Sequence, residues 1–116
     1  MTRAGYAIYF DRLRQRRKEI EMTVEHLKVE RRRLDESAPW MDRVAYRSRV
    51  RLLERVAGWY YEELAEVEAA MGRVEAGLYG RCTSCHSPLD AERLEDTPAV
   101  ELCALCERRR SRAEAG

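Results

Sequence analysis

Leu13, Ile20, Leu27 and Leu34 recur every seven residues, and Phe10, Arg17, Val24 and Arg31 sit three positions before them. This is an a/d heptad with Phe10 at a and Leu13 at d, and it predicts a helix over about residues 6–36. Two of the four a positions are arginine, so the seam is imperfect. A second run is longer and cleaner: Val50, Leu53, Ala57, Tyr60, Leu64, Val67, Met71, Val74 and Leu78 alternate steps of three and four. Extended backward, that register takes in Tyr46 and Arg43 and predicts a helix over about 42–79. At 1.5 Å per residue the two would be rods of roughly 45 and 57 Å. Pro39 bars one continuous helix, and Ser37 or Asp42 offers a cap for the second. A break this short makes the helices antiparallel neighbours, a hairpin with its tip at about 35–44. Gly80 is a candidate C′ residue for the second helix, and a last short helix is expected over about 104–113. Leu52, Val56 and Trp59 form a second apolar row beside the seam. Either Tyr6, Ile8 and Phe10 cover it or it is a face for a partner.

Composition sharpens this. Charged residues make up 37% of 116 residues, against roughly 25% in an ordinary soluble protein, yet 22 basic and 21 acidic side chains leave only +1. Bulk attraction to nucleic acid and an acidic disordered tail are both excluded. Few Gly (6) and Pro (3) suit long helices with narrow seams. No stretch approaches the roughly 18 apolar residues of a membrane span. Residues 1–10 lack the apolar core of a secretory signal, so a cytoplasmic location is expected.

The four cysteines stand as two C-x2-C pairs, Cys82/Cys85 and Cys103/Cys106, with seventeen residues between them. Two such knuckles can complete a tetrahedron around one ion, and the spacing is that of a four-thiolate zinc site. A closed four-Cys shell leaves no position for water, so the metal would be structural. It would also supply folding energy to a segment whose larger aliphatics are only Leu89, Leu94, Val100 and Leu102. The alternative, a redox C-x-x-C, belongs in a βαβ context that is absent here. His86 could replace a thiolate but reads as a bystander. His26 reads as a solvated helix residue. The chain thus divides into a hairpin, 1–79, and a four-Cys module with its C-terminal helix, 80–116. The fold class is mainly α. No catalytic set emerges: the carboxylates lie at helical ion-pair spacings from arginines, and no nucleotide loop or Ser/His/Asp arrangement is present. An enzyme is not expected.

These parts occur in a specific order. A helical hairpin leads into Gly77-Leu78-Tyr79-Gly80-x-Cys82-x-x-Cys85, then Arg93-Leu94-Glu95, Pro98-Ala99 and Leu102-Cys103-x-x-Cys106. The chain resembles the DksA/TraR family of bacterial zinc-finger proteins, most strongly over residues 64–110. Against the family's namesake the resemblance leads one to expect that an N-terminal segment is missing. The resemblance implies a regulator that binds RNA polymerase rather than DNA, with the shape of the Gre cleavage factors. Such a regulator docks at the secondary channel and reaches toward the catalytic centre with its coiled-coil tip to alter initiation. The family's tip motif, Asp-x-x-Asp-x-Ala, falls without gaps on Pro39-x-x-Asp42-x-Val44, so only Asp42 is kept. Asp42 is the expected tip residue, with Trp40, Met41 and Arg43 shaping the approach; the competing reading is that Asp42 merely caps the second helix. The positions that hold guanosine tetraphosphate (ppGpp) in the family fall on Glu66, Thr97 and Glu107. Two carboxylates would repel a polyphosphate, so that site is expected to be lost.

Charge distribution adds a further expectation. Lys28 to Arg51 holds eight basic and four acidic residues, while Glu54 to Tyr79 holds six Glu and two Arg. A basic tip either steers toward polyanions or simply decorates solvated helix faces. Residues 80–116 carry six basic and seven acidic side chains, a poor footprint for direct DNA binding by the module. Sequence-specific DNA binding and membrane association are not expected. The arginines at a positions favour an intramolecular hairpin, hence a monomer. The different-class alternative is a coiled-coil adaptor or oligomerisation protein with a structural zinc module.

Overall fold

The computed structural model describes residues 3–115, so Met1, Thr2 and Gly116, the ends of the expected spans, lie outside the described residues. It is mainly helical, a long N-terminal hairpin followed by the cysteine module and a C-terminal helix. Helix α1 is Arg3–Ser37, α2 is Arg43–Glu75, α3 is Ala91–Asp96 and α4 is Ala104–Ala115. No described helix is long and apolar enough to cross a membrane.

Between Tyr6 and Ala38 the chain has neither glycine nor proline, so nothing interrupts α1. It ends where Pro39 enters a 3₁₀ turn, Ala38–Trp40, closed by the Met41 N–H donating to the Ala38 carbonyl at 3.1 Å. Met41 is extended, and Asp42 starts α2 by accepting the Ala45 N–H on Oδ2 at 3.1 Å. This is N-capping, since Ala45 holds one of the first amides that lack an intrahelical partner. The far end of α2 differs from expectation. The helix stops at Glu75, not near 79, and Gly77 (φ +76°) is the C′ residue rather than Gly80. Gly77 donates to Val74 O at 3.2 Å and Leu78 to Arg73 O at 2.8 Å, the paired bonds of a Schellman motif. Leu78 therefore lies past the turn and is 58% exposed instead of closing the seam.

The chain forms two compact units, Met1–Gln15 with Glu66–Gly116, and Arg16–Ala65; their boundaries do not coincide with the 79/80 division. In the unit Arg16–Ala65 the helices run antiparallel: Arg16 meets Glu63 at 2.6 and 2.7 Å, while Arg31, further along α1, meets the earlier Glu54 at 3.2 Å. Ile20, Val24 and Leu34 are buried, and Leu27, Leu53, Ala57, Tyr60 and Leu64 are half-buried. The arginines at a positions are accommodated by leaning outward onto carboxylates, Arg17 onto Glu21 and Arg31 onto Asp35. Leu52 and Trp59 are not covered; they remain 57% and 60% exposed.

In the other unit, Leu13 of α1 and Val67, Ala70 and Met71 of α2 are buried. The first turns of α1 bury Tyr9 rather than Phe10, which is half-buried, because Tyr79 draws the tyrosines. Tyr6 meets Tyr79 edge-on at 5.1 Å and 84°, and Tyr9 packs on it at 6.1 Å. Tyr79 donates its hydroxyl to Pro98 O at 2.8 Å, and burial pushes its pKa up to about 12. Arg12 donates to the Glu95 carboxylate at 3.1 Å and its carbonyl at 2.9 Å. Helix α3 is an element the sequence pattern does not predict, and α4 runs two residues beyond the expected end.

Candidate metal centre

The sulfurs of Cys82, Cys85, Cys103 and Cys106 all lie within 4.8 Å of one another. The Cys85 and Cys103 sulfurs are 3.8 Å apart. A tetrahedron with metal–sulfur bonds near 2.3 Å has edges of about 3.8 Å, so the donor set has the size and chemistry for one thiophilic divalent ion.

Local backbone chemistry builds each half. Gly80 turns the chain into the first knuckle at φ +84°, and a Cβ there would collide with the Tyr6 hydroxyl. The Leu89 N–H then donates to Gly80 O, and Cys82 N–H to Ser87 O, both at 2.8 Å, folding 80–89 back on itself around an isolated Arg81–Pro88 bridge. His86 closes the turn with positive φ (63°) and its N–H on Cys82 O at 3.0 Å; its side chain is outside the sulfur cluster, as a bystander should be. The second knuckle is the start of α4. Cys103 stands just before the helix and accepts the Cys106 N–H on its sulfur at 3.4 Å. That N–H belongs to the first turn of α4, where backbone amides have no intrahelical partner. A bond from Thr83 N–H to Glu101 O at 2.9 Å ties the knuckles together.

Burial opposes ionisation of Cys82, but the N–H groups of Cys85, Cys103 and Ser84 outweigh it and hold the thiol at about 6. Cys85 is lowered too, first by Ser87. Cys106 is pushed up to about 12, chiefly by its hydrogen bond with the Cys103 sulfur. The cluster thus concentrates negative charge at the first knuckle while its sulfurs compete for the remaining protons, the condition a divalent cation relieves. Around it, Leu89, Leu94 and Leu102 are buried, and Val100 is half-buried.

Arg93 is the residue that sequence reasoning left without a role. It donates to Leu102 O at 3.1 Å and to Glu107 at 2.7 Å, bracing the strand of chain that enters the second knuckle. The Arg93-Leu94 pair in the motif was the available signal.

Glu66, Thr97 and Glu107 line one cleft together with Arg73 and Arg110. Its cations are committed: Arg110 to Glu101 at 3.0 Å, and Arg73 to the Ala99 and Val100 carbonyls at 3.3 Å each. Arg93, hydrogen-bonded to Glu107, holds that carboxyl below its ordinary range. At the hairpin end, Trp40 is 86% exposed, Met41 half-buried, and Asp42 and Arg43 exposed. Nearby, Tyr46 donates to Asp35 at 2.6 Å and Arg31 to the same carboxylate at 3.1 Å, and in that order they depress its pKa.

Neither a family model nor a curated protein matches the sequence. Among solved structures, the fold is that of transcription factor DksA2 from Pseudomonas aeruginosa. The TM-score is 0.85 at 22% identity, covering 97% of this chain and 88% of that one.

Proposed function

We propose that this protein is a DksA-type regulator of bacterial transcription. It binds RNA polymerase at the secondary channel, carries a structural zinc ion on Cys82, Cys85, Cys103 and Cys106, and acts without enzymatic activity of its own. The observation that carries the reading is the likeness to transcription factor DksA2 over 97% of the chain, joined to four sulfurs at tetrahedral spacing. Helices of 35 and 33 residues, each about 50 Å long, suit delivery of a few residues into a deep channel. Asp42 is the residue proposed to act there, flanked by Trp40, Met41 and Arg43. One Asp42 oxygen caps α2, and an exposed carboxylate has a second oxygen for a partner.

Regulation is proposed to be independent of ppGpp at the family's site, because the corresponding cleft presents Glu66 and Glu107 and its arginines are already bonded. A pull-down with core polymerase tests the reading. The wild-type chain is expected to be retained, and a variant with residues 35–44 replaced by Gly-Ser is expected to bind through its remaining surface yet fail to regulate. No retention of the zinc-loaded wild type removes the proposal. In vitro transcription with and without ppGpp is expected to give equal regulation; strong potentiation by ppGpp would restore the lost site.

A further inference from the structure

Arg43, Arg47, Arg51 and Arg55 follow one another at intervals of four along α2, and the next step of the same row is Trp59. All four arginines are exposed. Residues four apart on a helix are surface neighbours, so the row is one ridge of cations about 6 Å apart along the axis. Like charges at this spacing weaken a helix, and among the described residues none of the four has a carboxylate partner within ion-pair distance. The contrast with α1 is direct. There Arg14, Arg16, Arg17, Arg31 and Arg33 each meet an acidic residue three or four positions away. Of the carboxylates beside the ridge, Glu54 is turned to Arg31, and Asp35, which shares a cleft with Arg43 and Arg47, is bonded to Tyr46 and Arg31. The chain's two tryptophans flank the row, Trp40 before it at 86% exposure and Trp59 at its end at 60%.

A row of unpaired arginines with an exposed indole at each end is suited to an external partner. We infer that the ridge Arg43–Arg47–Arg51–Arg55, bordered by Trp40 and Trp59, binds single-stranded nucleic acid without sequence preference. The guanidinium groups would track the phosphates and the indoles would stack on unpaired bases. An acidic protein segment would satisfy the charges too, but regularly spaced cations with an indole at each end match the repeat of phosphates and unpaired bases in one strand. The near-zero net charge of the chain is no obstacle, because it is a sum over both hairpin helices and the cysteine module, whereas residues 28–51 hold eight basic and four acidic side chains. The inference does not rest on the polymerase reading and is tested on the free protein.

Both tryptophans lie at the ridge, so intrinsic fluorescence reports on it directly. The zinc-loaded full chain is titrated with a sixteen-residue oligothymidylate, and affinity is followed by anisotropy of a fluorescein-labelled copy across a salt series. Quenching is expected, and log K should fall against log salt with a slope of about −3, from about 0.7 per phosphate neutralised on single strands. Arg47→Gln with Arg51→Gln should reduce that slope by about half while circular dichroism stays unchanged. Trp59→Ala should weaken binding about tenfold, the scale of one lost stacking contact. Absent quenching, or an unchanged slope in the double variant, overturns the inference. So does equal binding of a sixteen-residue polyglutamate that is insensitive to Trp59→Ala, which would assign the ridge to acidic proteins.

Discussion

The unit that holds the cysteines and the unit Arg16–Ala65 solve the problem of a small core in different ways. The first buries a mixed set, with Tyr79, Leu89, Leu94, Leu102, Cys82 and Cys106 all below a tenth exposed, around four sulfurs that a metal can join. Three of its polar side chains are spent inward: Arg93 on Leu102 O, Arg73 on the 99–100 carbonyls, and the Tyr79 hydroxyl on Pro98 O. The second unit buries Ile20, Val24 and Leu34 among its large side chains and is otherwise a half-covered seam edged by ion pairs. Its remaining charges and its exposed tryptophans face solvent. One unit directs its hydrogen bonds toward the chain around the sulfurs, and the other leaves a row of arginines and two indoles exposed.

Metal removal should separate the two most strongly. Structural zinc contributes on the order of 10–16 kcal/mol apparent in small four-ligand modules, more than the small core around Leu89, Leu94 and Leu102 can replace. A strong chelator, or Cys82→Ser, should abolish hydrogen-exchange protection over 80–106 and leave helical protection around Ile20 and Val24 largely in place. Equal loss in both units would mean that they fold as one and would erase the distinction. Next in size is Ile20→Ala. Ile20 is completely buried, and such truncations cost about 2–5 kcal/mol. Urea unfolding should show that loss in the transition reporting on helix content, with the metal still bound. If bound metal is lost in step with helicity, the seam and the cysteine unit are coupled.

Much of this was legible in the heptads and cysteine spacing because both obey a fixed geometry. Leu13, Ile20, Val24 and Leu34 are buried where the period put them, and four sulfurs at C-x2-C spacing converge because each knuckle is a local turn. What was missed depends on contacts between distant residues. Tyr9 displaces Phe10 because Tyr79 lies across from it, and no period encodes that. The end of α2 falls short of the 3-4 pattern, which Leu78 continues, because Gly77 has the freedom for φ +76° that lets the Schellman bonds form first. Helix α3 has a single buried side chain, Leu94, too short a stretch to show a period. The arginine ridge was legible in principle, but a count of charges conceals spacing, and Arg55 fell among residues whose sum is acidic.

The tip sharpens the comparison at smaller cost. Asp42→Ala removes the cap on Ala45 and should lower stability by about 1 kcal/mol. Asp42→Ser or Asp42→Asn retains a capping oxygen and should restore most of it. On the proposed function, neither replacement should recover regulation in a transcription assay, since each lacks the carboxylate. Regulation recovered together with stability would reduce Asp42 to a cap.

The smallest effect concerns the ion pair that edges the exposed seam. Glu63 accepts two bonds from Arg16, at 2.6 and 2.7 Å, and that pairing holds its carboxyl below the ordinary 4.5. A carboxyl depressed by folding stabilises above its unfolded value, and the contribution fades as pH falls through the lower, folded value. Both side chains are more than a third exposed, at 42% and 37%, so the gain is at most about 1 kcal/mol even with bidentate geometry. Glu63→Gln should therefore melt a few degrees below wild type at pH 7, with the gap closing as pH falls below 4.5 and through the depressed folded value. It should also narrow at high salt, because a half-exposed pair is screened. The same variant should leave metal content untouched, since Arg16 and Glu63 both belong to the unit Arg16–Ala65 and the four cysteines do not. A gap that persists at low pH would mean that Glu63 stabilises through packing of its methylenes rather than through its charge.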